Sequence, residues 1–207
     1  MGRTSDAQDR LVEHAAALWY SRSYADVGVN EICEASGVRK GSFYHFFPSK
    51  RDLALAVIDA HWRRFGGEIL APILDADAPP LERLDMLTER GAEVMQAQKD
   101  EAGVVMGCPF GNLAVELSTI DEVVRARLEE LFEERVATVR GLLDEAVIEG
   151  ELPQETDTQL VAQAINAYYE GVLAMSKTSG DPDALRRLGP LARRLAGAGV
   201  EAPAAAT

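Results

Sequence analysis

Between Val29 and Pro48 the chain has room for two short helices and little else. Val29 to Ser36 is an eight-residue amphipathic stretch that runs into Gly37, a residue suited to the left-handed backbone that stops a helix. A second stretch runs from about Val38 or Arg39 to Phe47, where Pro48 disfavours helical dihedrals in the residue ahead of it. Phe43 and Phe47 are four apart, so both can face a core with Ile32, Cys33 and Val38. Lys40, Gly41, Ser42, Tyr44 and His45 then point outward. Two short helices sharing one core across a glycine turn have the dimensions of a helix-turn-helix, whose second helix enters the major groove.

Helical spacing continues on both sides of this pair. Leu11, Ala15, Leu18 and Trp19, widened by Val12 and Ala16, predict a first helix. Ser49 reads as the N-cap of a longer helix that carries Leu53, Leu55, Ala56, Ile58 and Trp62 to about Leu70, ahead of Pro72 and a loop from Asp75 to Pro80. Leu84, Leu87, Gly91 and Val94 mark the next helix, which stops near Gly103 to Pro109, and a short one follows from about Phe110. Asp121 to Gly150 predicts a strong amphipathic helix capped by Asp121, with Val124, Leu128, Leu131, Val139, Leu142 and Ala146 on one face. Leu160, Ala164, Ile165, Tyr168, Val172 and Met175 mark another long helix, and Asp181 to Gly197 a last one. No stretch reads as a strand. The expectation is an all-α fold, with a three-helix domain over residues 1–50, a larger helical domain over 51–197 and a disordered Ala- and Pro-rich tail over 198–207.

A net charge of −13 argues against a polyanionic partner until its distribution is considered. Up to Arg64 there are nine lysines and arginines against eight acids; the remainder carries twelve against twenty-six. From Ala35 to Arg51 there is no acidic residue, while Arg39, Lys40, Lys50 and Arg51 supply four positive charges, the local surface that phosphate needs. Gly41 permits close approach of backbone to DNA, Ser42 can donate to a phosphate or base edge, and Tyr44 can offer its hydroxyl to phosphate or its ring to a thymine methyl. Lys50 opens a helix whose free amides already favour an anion, so it is expected to hold a phosphate.

The run Ser36-Gly37-Val38-Arg39-Lys40-Gly41-Ser42-Phe43-Tyr44-His45-Phe46-Phe47-Pro48-Ser49-Lys50 closely resembles the signature of the TetR family of repressors, a likeness that extends from roughly Gln8 through Leu55. The resemblance implies that Lys40, Gly41, Ser42, His45 and Phe46 read bases, that Tyr44 and Lys50 bind phosphate, and that the first helix packs across the pair. One departure is Gly28, where the family usually has a capping Ser or Thr that also touches phosphate; Asn30, two residues on, could reach a base. The family further implies a C-terminal bundle for ligand binding and dimerisation, its last two long helices packing against their symmetry mates. The partners expected are therefore a palindromic double-stranded DNA operator, a small-molecule inducer and a second copy of the chain.

For the inducer the candidates are Trp62, Met106, Cys108, Phe110, Asn112, Tyr168 and Tyr169, isolated polar or aromatic groups on apolar helices and at their junctions. Cys108, between Gly107 and Pro109, is also placed where an electrophile could reach it, which gives an alternative, an electrophile- or redox-responsive repressor. Cys33, on the apolar face of its helix, reads as core, and His61 as an ordinary helix residue. The run Glu129, Glu130, Glu133 and Glu134 reads as a solvated face paired with Arg125, Arg127 and Arg135. No nucleophile and base pairing, phosphate loop or metal-ligand spacing is present, so neither an enzyme nor a cofactor is expected. Without an apolar run of membrane length or a signal peptide, the expected setting is the cytoplasm, and the variant that activates rather than represses stays open.

Overall fold

The computed structural model describes residues 2–197, with side chains from residue 6 onward, and all regular structure among them is helical. The tail expected over 198–207 lies outside the described residues. In chain order the helices are α1 (Gly2–Ser21), α2 (Val29–Ser36), α3 (Lys40–Phe46), α4 (Lys50–Phe65), α5 (Ala71–Leu74), α6 (Pro80–Ala102), α7 (Pro109–Leu117), α8 (Glu122–Ile148), α9 (Thr158–Ser179), α10 (Ala184–Leu188) and α11 (Leu191–Gly197). No described helix is long and apolar enough to cross a membrane.

The chain packs as two compact units. One runs to Gly66 and takes in Pro109–Glu130; the other holds Gly67–Cys108 and the chain from Leu131 onward. The first unit is organised by a core of Leu11, Ala15 and Trp19 from α1, Ile32 and Cys33 from α2, Val38, Phe43 and Phe47 around α3, and Leu53, Ala54 and Val57 from α4. Phe43 is fully buried, worth about 1.5–3 kcal/mol relative to an exposed ring. The expected boundary at residue 50 is too early, because the apolar face of α4 completes this core. Its start is as expected: the Ser49 hydroxyl oxygen accepts from the Asp52 amide at 3.2 Å and donates to the Asp52 carboxylate at 2.7 Å.

The second unit packs Leu81 and Leu84 of α6 with Val139, Leu143 and Ala146 of α8, Val161 and Ile165 of α9, and Ala192 and Ala196 of α11. Asp121 caps α8 as expected, accepting from the Val123 and Val124 amides at 3.1 Å each. Two boundaries differ. The helix expected to reach Leu70 ends at Phe65 and is followed by one wider turn, Gly66–Leu70, and the short α5. Pro72 has no N–H for the Glu68 carbonyl, and two adjacent glycines let the ladder widen ahead of it. The last helix is broken. Asp181 to Gly197 forms α10 and α11, parted at Gly189 and Pro190, because proline cannot donate to the carbonyl one turn back and Gly189 is pressed against Thr88. Among the described residues the last two long helices are α8 and α9, of 27 and 22 residues.

Candidate nucleic-acid interface and sensing residues

The turn between α2 and α3 is built by Gly37, whose φ of 66° and ψ of 23° are left-handed. Its amide donates to the Glu34 carbonyl, and Val38 N donates to the Cys33 carbonyl at 3.0 Å, closing the last turn of α2. Arg10 Nε on α1 donates to the Ser36 carbonyl at 3.1 Å, which fastens α1 across the end of α2. Gly28 caps α2 in extended backbone with no side-chain bond, as a glycine must. With the pair fixed, α3 turns Phe43 inward and leaves Arg39, Lys40, Gly41, Ser42, Tyr44 and His45 exposed, Tyr44 at 50%. Asn30 on α2 is exposed as well. Phe46 differs from that set: it is half-buried and packs on the core of the unit, so only part of its ring faces out.

Lys50 is more tightly held than an open phosphate clamp. Its ammonium donates to the Tyr24 carbonyl and lies 4.0 Å from the centroid of the Tyr24 ring and 6.0 Å from that of Trp19. Burial lowers its pKa, partly offset by the Glu116 carboxylate nearby. Glu116, on α7, was not singled out by any sequence pattern. Its two carboxylate oxygens accept from the amides of Tyr24 at 3.0 Å and Ala25 at 2.6 Å. Arg51 faces Asp121 at 4.0 Å.

The residues proposed from sequence for a ligand are divided between the two units. In the first unit, Trp62 on α4 and Phe110 on α7 meet edge to face at 6.1 Å, and Trp62 stacks on Phe65 at 5.6 Å. His61 joins them, 6.1 Å from Phe110 and 6.3 Å from Tyr20, with its pKa lowered by burial and by Arg64. Asn112, also on α7, is half-buried. In the second unit, Met106 is fixed by its backbone, its amide donating to the buried Gln98 at 3.0 Å.

Cys108 has a neighbour that spacing along the chain did not reveal. Arg135 Nη1 lies 3.8 Å from the Cys108 sulfur and 2.5 Å from Glu170 Oε1 on α9, with the Arg135 side chain only 15% exposed. Arg135 therefore leaves the solvated acid face of α8, where Arg125 does pair with Glu122 and Glu129 and Arg127 with Glu130. Although burial pulls its pKa down, Cys108 and Glu170 hold it above the ordinary arginine value, a permanent cation beside the sulfur. The two tyrosines are pegs within the unit. Tyr168 OH donates to the Leu188 carbonyl at 2.7 Å, and Tyr169 OH pairs with the Thr88 hydroxyl, its pKa pushed by burial to about 12.

Known proteins resemble both units. The bacterial regulatory proteins, tetR family, match residues 11–57, and the tetracyclin repressor-like C-terminal domain matches residues 80–190. The transcriptional regulator AcuR of Cereibacter sphaeroides is 33% identical over 190 residues, covering 89% of this chain and 85% of that protein. The HTH-type transcriptional repressor DhaR of a Mycobacterium species is 30% identical over 177 residues, 86% of this chain and 85% of its own length. A crystal structure of a regulatory protein TetR from Rhodobacter sphaeroides matches with a TM-score of 0.82 at 32% identity, covering 91% of this chain and 98% of that one. With a helix-turn-helix at its N-terminus and a repressor-type helical domain behind it, the chain belongs to the TetR family and is a DNA-binding transcriptional regulator, not an enzyme.

Proposed function

We propose that the chain is a homodimeric repressor that holds a palindromic double-stranded DNA operator and leaves it when a small-molecule inducer binds the helical domain. The observation that carries this is the outward face of α3, where Lys40, Gly41, Ser42, Tyr44 and His45 are all exposed within a stretch free of acid. On this reading Lys40, Gly41, Ser42 and His45, with the exposed part of Phe46 and with Asn30, meet base edges, while Arg39, Tyr44 and Lys50 meet phosphates. A dimer sets two such helices one helical turn of DNA apart, so the operator is an inverted repeat. The exposed small residues Ala167, Gly171 and Ala174 on α9, beside the exposed Met175, offer a flat face for a second copy. An inducer that prefers the conformation with mis-spaced recognition helices lowers operator affinity by that same preference. Such a protein works in the cytoplasm, where the DNA is.

Selection of duplexes from a random-sequence pool tests the core of this reading. Enrichment of an inverted repeat, bound less tightly as salt rises, is expected. Failure to enrich any sequence would overturn it. Deletion of the gene then separates the two modes of regulation: transcripts next to the selected site rise for a repressor and fall for an activator.

A second form of sensing is favoured by one observation, the guanidinium of Arg135 at 3.8 Å from the Cys108 sulfur. A cation beside a cysteine favours the thiolate, the form that attacks electrophiles. Mass spectrometry after mild electrophile treatment should find Cys108 modified and operator released. Release that persists in Cys108→Ser would exclude it.

A further inference from the structure

One peptide group in the first unit stands between two opposite charges. The amide N–H of Ala25 donates to Glu116 Oε1 at 2.6 Å, and the carbonyl of the same peptide, that of Tyr24, accepts from the Lys50 ammonium. In a trans peptide the N–H and C=O point in opposite directions, so carboxylate, peptide and ammonium form a line along which each hydrogen bond polarises the next. The other oxygen of Glu116 takes the Tyr24 amide at 3.0 Å, so the carboxylate grips two successive amides and fixes the plane of the peptide it polarises.

We propose that Glu116 is a positioning residue for operator binding, acting through the Tyr24–Ala25 peptide to aim the Lys50 ammonium at a DNA phosphate. This rests on the phosphate role given to Lys50 above. An ammonium carries three N–H donors; the Tyr24 carbonyl uses one and leaves two for the anion. The aim is set on both sides, because the Tyr24 ring lies 4.0 Å beneath the ammonium and itself packs 5.0 Å from Trp19 of the core. Without Glu116 the Tyr24 and Ala25 amides lose their acceptor, the turn between α1 and α2 is free to rotate that peptide, and Lys50 returns to the rotamer freedom of an ordinary surface lysine. Holding a long side chain in advance spares that ordering cost when DNA arrives.

Glu116 lies on α7 and has no place on the recognition helix, so a link between it and a phosphate-binding lysine is not expected from its position in the chain. Its effect on DNA is separable from a general effect on folding. Glu151 makes a bond of the same kind in the second unit, its Oε2 accepting from the Leu81 amide at 3.0 Å, and serves as the control.

The test is a double-mutant cycle on full-length protein, read as affinity for the duplex that the wild-type protein selects from a random pool and as the salt dependence of that affinity. Glu116→Gln keeps the size of the side chain but sets an NH2 group against an amide donor. It should weaken binding about tenfold, the scale of a lost hydrogen bond to a charged group, and reduce the salt slope. Lys50→Met should weaken binding and reduce the slope at least as much, and Glu116→Gln should add little in the Lys50→Met background. Glu151→Gln should change neither quantity. If Glu116→Gln does not fold, Glu116→Asp, which keeps the charge but is one methylene too short to reach both amides, should show the same coupling with a smaller loss. Lys50→Met with wild-type affinity and slope would remove the phosphate role of Lys50. Lys50→Met that weakens binding while the Glu116 substitution does nothing, or costs the same with and without Lys50, would overturn the positioning role alone.

Discussion

Gly189→Ala puts two opposite effects on one atom. The backbone at Gly189, with φ −51° and ψ −44°, is right-handed helical, a conformation in which alanine is better than glycine by about 1 kcal/mol. A Cβ there would stand 2.6 Å from the Leu185 carbonyl oxygen and 2.9 Å from Thr88 Cβ, and would overlap Thr88 Cγ2. Thr88 cannot simply turn aside, since its hydroxyl holds Tyr169 inside the second unit. Overpacking of this kind costs about 1–3 kcal/mol, and a displaced buried hydrogen bond adds about 1 kcal/mol more. The net is a loss of about 2 kcal/mol, or a fall in Tm of about 4–8 °C for a chain of this size. Thermal melts followed by circular dichroism measure it. Thr88→Ser removes the overlapping methyl and keeps the hydroxyl, so the double variant should be about 1 kcal/mol more stable than the two single losses added together. A Gly189→Ala protein that melts at or above the wild type, or losses that simply add, would refute the steric account of the break between α10 and α11.

Arg39→Met, in both copies of a dimer, should lower the salt slope of operator binding by about 1.8 if each Arg39 neutralises one phosphate, with the selected sequence unchanged; a shift in base preference would mark Arg39 as a base reader instead. Tyr169→Phe should cost about 1 kcal/mol of stability and leave inducer release intact; loss of release at full stability would restore Tyr169 as a ligand contact. Burial and Arg64 hold His61 below the ordinary imidazole pKa, so the folded chain binds fewer protons there than the unfolded one. Stability from this site is complete above the unfolded histidine pKa and is lost as pH falls from that value toward the lowered folded one. Urea midpoints between about pH 8 and about pH 5 should therefore fall less in His61→Phe than in the wild type, and equal falls would contradict a lowered pKa at this half-buried histidine.

The parts of this protein that could be read from its sequence are those set by neighbours along the chain. Gly37, Pro48 and the four-residue spacing of Phe43 and Phe47 are local signals, and the helix-turn-helix they specify is formed as read. Ser49 and Asp121 cap α4 and α8 for the same reason. The break at Gly189 and Pro190 was written in the proline, but an apolar period running on through Leu191, Ala192 and Leu195 masked it. What could not be read depends on partners far away in the chain. Tyr169 finds Thr88 at a separation of 81 residues, and Arg135 pairs with Glu170, 35 residues on. Glu116 reaches backbone amides 91 and 92 residues earlier, and amides carry no residue identity for a pattern to detect.

The two units are not consecutive in the chain. After Cys108 the polypeptide leaves the second unit, contributes α7 and the first turns of α8 to the first, and returns at Leu131. Anyone building hybrid regulators by joining one protein's reading head to another's sensor would naturally cut after α4. That cut would strip the head of Phe110, which packs on His61 and Trp62, and of the carboxylate that grips the turn ahead of α2. A functional graft has to carry residues 109–130 along with the N-terminal segment, as an insertion in the new sensor at the matching place.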